Sequence, residues 1–98
     1  MRESGVQANI IKRIKREFPG AIVLKNDPNY IQGIPDLLVL YGPTWAGLEV
    51  KRSDREPVQS NQAYYVSQMN EMSYASFIYP AIEDLVFDEL QSAFQPKR

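Results

Sequence analysis

Between residues 21 and 51 the chain makes three short β-rich runs in quick succession, directly behind one amphipathic helical stripe. The stripe consists of Val6, Ile10, Ile11, Ile14 and Phe18, at the three- and four-residue spacing of a half-buried helix. Ser4 followed by Gln7 offers a capping box, with a start one turn earlier as the alternative. Pro19-Gly20 ends the helix. Glu3, Gln7, Ile10 and Ile14 fall on one stripe, which puts a carboxylate at the head of the buried face.

The first run, residues 21–24, is Ala-Ile-Val-Leu without a polar break, and residues 25–33 that follow are turn-forming. The second run spans residues 36–41 and the third residues 45–51. Only a short Gly42-Pro43 turn separates them, so they should pair as an antiparallel hairpin. Polar residues 52–59 lead to a helix that begins near Ser60 or Asn61 and reaches about Met72. A fourth strand is expected over residues 75–79. Pro80 can then open a last helix, carried by Ile82, Leu85, Val86, Leu90 and Phe94. The order α-β-β-β-α-β-α predicts an α/β chain of the α+β kind, a small mixed sheet with helices on its faces. Its 98 residues suit one domain over 1–98, with a modest core.

Composition narrows the chemistry. The chain has no cysteine and no histidine. Disulfides, thiolate chemistry, Ser-His-Asp hydrolysis and nearly all zinc sites are thereby excluded. Catalysis would have to run on carboxylates, lysine, tyrosine, serine or a hard cation held by oxygen. The net charge of −1 conceals an asymmetry. Residues 1–55 carry nine basic side chains against six acids, whereas Glu83, Asp84, Asp88 and Glu89 cluster near the end. This fits one phosphate-facing side and a solvated acidic helix, with Lys12, Arg16, Lys25, Arg52 and Arg55 as candidate phosphate contacts. No run approaches the roughly 18 apolar residues of a membrane span. The first residues show no signal-peptide pattern, so the expectation is a soluble, cytoplasmic protein.

The constellation with chemical content is Gly33-Ile34-Pro35-Asp36, twelve further residues, then Glu49-Val50-Lys51. Residues two apart on a strand share a face, so Glu49 and Lys51 project together, and hairpin pairing can bring Asp36 beside them. Converging carboxylates repel unless neutralised. A divalent cation does this, polarises a phosphodiester and lowers the pKa of a bound water. Read alone, the same spacing also suits acids and lysines that merely pair across a hairpin. Glu49, however, interrupts a strand that is otherwise almost wholly apolar.

Glu3 on a first helix, Gly33-Ile34-Pro35-Asp36, Glu49-Val50-Lys51 and the following Gln62 resemble the VRR-NUC (virus-type replication-repair nuclease) branch of the PD-(D/E)XK superfamily. The resemblance covers about three quarters of the chain. It implies a restriction-endonuclease-like core and Mg²⁺- or Mn²⁺-dependent cleavage of DNA, including branched or Holliday-junction DNA, by a homodimer. It also implies that Asp36, Glu49, Glu3 and the Val50 carbonyl hold the metal. Lys51 would orient the attacking water, and Gln62 would steady the site. Gln59, three residues earlier, offers the same amide at a competing position. The alternative is a catalytically silent fold that binds nucleic acid or a replication or repair partner. Tyr64, Tyr65 and Tyr74 fit core positions better than base-stacking ones. Residues 53–57 are expected to be mobile.

Overall fold

The computed structural model describes residues 2–95, apart from the side chain of Glu3. Helix α1 (Glu3–Glu17) leads into strands β1 (Ile22–Lys25), β2 (Leu37–Tyr41) and β3 (Thr44–Val50). Helix α2 (Ser60–Met72), strand β4 (Tyr74–Ile78), a single 3₁₀ turn (Pro80–Ile82) and helix α3 (Glu83–Ala93) complete the order. The four strands lie in sequence order, β1-β2-β3-β4. The first two pairings are antiparallel, as short connections dictate, and β3–β4 is parallel because α2 crosses over between them. The predicted class and element order match this architecture.

Alternation along the strands assigns the faces. Leu37 and Val39 of β2, with Ala46, Leu48 and Val50 of β3, are all fully buried and form one core with α1 and α3. Val6, Ile10, Ile14 and Phe18 supply the α1 side, and Val86, Phe87, Leu90 and Phe94 the α3 side. The residues between them, Trp45, Gly47 and Glu49, face the other way. There α2 closes in: a side chain at Gly47 would come within 2.7 Å of the Met69 methyl. We call these the core face and the α2 face.

One expectation is corrected, and two features are new. Helix α1 begins at Glu3 with Arg2 as its cap and no side-chain cap bond, so the Ser4–Gln7 box does not form. The capping box sits on α2 instead, between Gln59 and Gln62. The unbroken apolar run of β1 is not buried on both sides: Ile22 is 57% and Leu24 45% exposed. Strand β1 is the sheet edge, and α2 packs mainly over β3 and β4, which leaves Ile22 and Leu24 of β1 exposed.

Arg13 ties the two helices of the core face together. Its guanidinium donates to Glu17, Glu83 (2.8 Å) and Asp84 (2.7 Å), and lies 4.2 Å above the Phe87 ring. Part of the acidic character of α3 is thus used internally rather than as a wholly solvated face.

Candidate active site

The site forms where β3 ends, because the hairpin register and the α2 crossover converge there. Leu37 of β2 pairs with Leu48 of β3, which brings Asp36, one residue earlier, alongside Glu49 and Val50. Asp36 Oδ2 accepts a hydrogen bond from the Val50 N–H at 2.8 Å, and the Asp36 carboxyl lies in contact with that of Glu49. Its position is held from the other side by the Asn26 N–H, which donates to the Asp36 carbonyl at 2.9 Å.

Glu49 and Lys51 are the buried charged residues among those described, at 3% and 4% exposure. The Lys51 ammonium donates to Gln62 Oε1 at 2.8 Å and to the Pro57 carbonyl at 3.0 Å. It also lies 3.9 Å from Glu49 Oε2 and 3.5 Å from Glu56 Oε2. Gln62 Nε2 in turn donates to Glu49 Oε2 at 3.3 Å. One amide therefore bridges the lysine and the acid. The same Gln62 oxygen accepts from the Gln59 N–H at 3.0 Å, which couples the site to the first turn of α2. Gln59 is the helix cap, and of the two it is Gln62 whose amide reaches Lys51 and Glu49.

Removing a carboxylate from water costs several kcal/mol unless partners replace the solvent, as an order-of-magnitude figure. For Asp36 they do so incompletely. Burial raises its carboxyl above the ordinary aspartate value, although the Val50 N–H, Glu49 and the Lys51 charge pull it down; Glu56 adds to the upward shift. Two abutting carboxyls that burial strains in this way suit a hard cation. The donor set fits one as well: carboxylate and carbonyl oxygens, with no sulfur or imidazole in the chain. Among the described residues no three His, Cys, Asp or Glu side chains cluster as a ligand set. Two carboxylates, with a backbone carbonyl and water, meet the needs of Mg²⁺.

The structure thus brings Asp36, Glu49, Val50, Lys51 and Gln62 together. Glu3 heads α1, but its side chain lies outside the described residues. Lys25 is exposed and pairs in register with Leu37, at the site end of the sheet. Arg55 is exposed beside the site, on the loop after β3. Arg52 is there too, but its Nε is committed to Glu56 at 3.0 Å. Lys12 and Arg16 project from α1, which covers the core face. Arg16 lies in its last turn, next to Phe18, whose ring meets Tyr41 at the hairpin end of the sheet.

Glu56 was missed by sequence reasoning. It sits in a segment expected to be mobile, yet it receives the Arg52 backbone N–H at 2.9 Å as well as the Arg52 and Lys51 side chains. The signal was the four-residue spacing of Arg52 and Glu56, which carries weight only once the turn is known. Tyr64 also departs from expectation, being 58% exposed, whereas Tyr74 is half-buried and donates to Glu89.

No family profile matches this sequence, and no curated protein sequence is detectably similar to it. Its fold has a known counterpart. A solved structure described as a VRR_NUC domain protein superposes with a TM-score of 0.67 at 15% identity, covering 95% of this chain and 88% of that one. The chain has a VRR-NUC-like fold.

Proposed function

We propose that this chain is a divalent-metal-dependent endonuclease that hydrolyses DNA phosphodiester bonds, with Asp36, Glu49 and Lys51 at its centre. The observation that carries the reading is the meeting of the buried Glu49 and Lys51 with the half-buried Asp36 at the end of β3, with Gln62 bridging the lysine and Glu49. A chain with a core this small gains no stability from burying Glu49 and Lys51 beside the half-buried Asp36 in place of apolar side chains. Their presence points to chemistry.

Asp36, Glu49 and the Val50 carbonyl would hold Mg²⁺ or Mn²⁺, with Glu3 adding a carboxylate from α1. That ion would supply Lewis acidity toward the phosphate and a more acidic bound water. The chain's own groups do the positioning. Lys51, fixed by Gln62 and the Pro57 carbonyl, places a positive charge where the nucleophile and the developing phosphate charge meet. Gln62 keeps Lys51 and Glu49 in register. The amino-terminal turn of α2 opens beside them, and its dipole favours an approaching phosphate. Lys25, Arg52 and Arg55 border the site, and Lys12 and Arg16 lie on the helix that covers the opposite face.

The proposal extends to residues 1–98 acting as one nuclease domain, to a homodimer, to branched or junction DNA as substrate, and to a cytoplasmic site of action. A single copy this small covers little of a junction, and two copies would place two sites for paired cuts. None of the described helices is long and apolar enough to cross a membrane. The test is cleavage of linear, flap, four-way and single-stranded DNA with Mg²⁺, Mn²⁺ or EDTA, with sedimentation to read the oligomeric state. Cleavage by Lys51→Ala at the wild-type rate would remove the assigned site. Metal-independent DNA binding without any cutting would instead favour the silent binding module.

A further inference from the structure

The α2 face holds a second feature beside the carboxylates. A cavity of about 480 Å³ opens between the β1–β2 loop, strand β2 and helix α2. Its floor is Leu38, which follows Asp36 by two residues and therefore lies on the same face, about 7 Å further along the chain. Ile34 and Met69 form apolar walls, and Met69 brings a polarizable thioether. Tyr30 stands at the mouth, 85% exposed. The rim is polar, formed by Asn26 and Asp27.

Resting on the nuclease reading above, we infer that this cavity receives one unpaired nucleobase of the DNA being cut. Three observations single out that occupant. The walls are apolar with an aromatic plane at the mouth, which suits a flat ring that stacks. The rim bears a carboxylate and an amide but no cation, so it repels phosphate and accepts hydrogen bonds from the exocyclic amino groups of bases. The cavity is also built rigidly onto the catalytic strand. Asn26 donates its backbone N–H to the Asp36 carbonyl at 2.9 Å and its side-chain amide to the Pro35 carbonyl at 2.8 Å.

Gly33 closes the loop against α2. It has a φ of +89°, and a side chain there would lie 2.6–2.8 Å from atoms of Asn61. A pocket held at both ends in this way is preformed for a ligand. A fully paired duplex keeps its bases stacked and cannot offer one this close to the scissile phosphate without unstacking it. The pocket selects DNA with an unpaired base at the cleavage position, such as a branch point, a flap or a single strand.

The test uses the full chain and DNA carrying 2-aminopurine, whose fluorescence falls on stacking, placed at a branch point or within a paired duplex. Binding is measured at low salt in EDTA, where phosphate contacts are strongest. The expected result is quenching at the branch point and none in the duplex. Tyr30→Ala should weaken branched-DNA binding about tenfold, within the range known for single stacked bases, and leave duplex binding unchanged. Tyr30→Phe should behave as wild type.

Absence of quenching, or equal weakening on both DNAs, overturns the pocket. So does a change of oligomeric state in Tyr30→Ala, which would make the surface a contact between copies. The two readings fail separately. Quenching without cleavage under any metal removes the nuclease and keeps the pocket. Cleavage of branched DNA that is indifferent to Tyr30 keeps the nuclease and removes the pocket.

Discussion

The two faces of this sheet are built from neighbouring residues of the same strand and serve opposite ends. Leu48 and Val50 point into the apolar cluster of the core face, and both are fully buried. Glu49, between them, is almost as buried at 3%, yet it meets Asp36, Gln62 and Lys51. Burial alone therefore does not distinguish stability from function. The core face excludes water to gain transfer free energy, and the α2 face excludes it to hold charges that repel. The lesson is that stability and chemistry in this chain should come apart under mutation.

The largest expected separation is within β3. Lys51→Ala should lower the cleavage rate about 10²–10³-fold, the usual loss for one stabilising group in a transition state. Circular dichroism and denaturation would check that its fold persists. Leu48→Ala, three residues earlier and on the other face, should cost about 2–5 kcal/mol of stability by leaving a cavity. Its cleavage rate per folded molecule, measured below the unfolding transition, should be unchanged. Equal effects of both variants on both quantities would erase the distinction between the faces.

Next comes Gly33→Ala. The left-handed backbone and the close approach of Asn61 should cost about 1–3 kcal/mol, read from urea melts. Because this contact seats the loop on α2, cleavage should fall as well. Asp36→Asn sharpens the contrast in the opposite direction. Burial raises the Asp36 carboxyl in the folded state, so above the ordinary aspartate value the folded protein holds more protons than the unfolded one. Metal-free wild type should therefore lose stability as pH rises through that window. The asparagine variant should lack this loss, be the more stable protein at neutral pH, and cleave nothing. Thermal melts in EDTA across pH read the difference. The smallest effect belongs to Arg13→Ala. Its partly exposed ion pairs and its contact with Phe87 are worth about 1 kcal/mol, with no change in cleavage per folded molecule.

Much of this was legible beforehand because it rests on periodicity. The Val6–Phe18 stripe and the Gly42-Pro43 turn follow from local geometry and reappear in the fold, whereas Pro80 opens a 3₁₀ turn and the last α-helix starts at Glu83. Hairpin pairing likewise made the approach of Asp36 to Glu49 readable. What escaped depends on which element covers which strand. Nothing in Ile22 and Leu24 says that α2 packs mainly over β3 and β4. The role of Glu56 needs the fold of residues 52–57, and Gln59 and Gln62 separate only once the helix cap is seen. The cavity at Tyr30 is a tertiary object, formed where a loop, a strand and a helix meet.

The central claim is that the Asp36–Glu49 carboxyl pair on the α2 face is a metal-dependent phosphodiesterase centre. Its most direct test is cleavage of a labelled four-way junction with Mg²⁺ and with EDTA, comparing wild type with Glu49→Gln of confirmed fold. The account predicts cutting by wild type only with the metal, and none above background by Glu49→Gln. Equal cutting by the two proteins, or cutting that persists in EDTA, would contradict it.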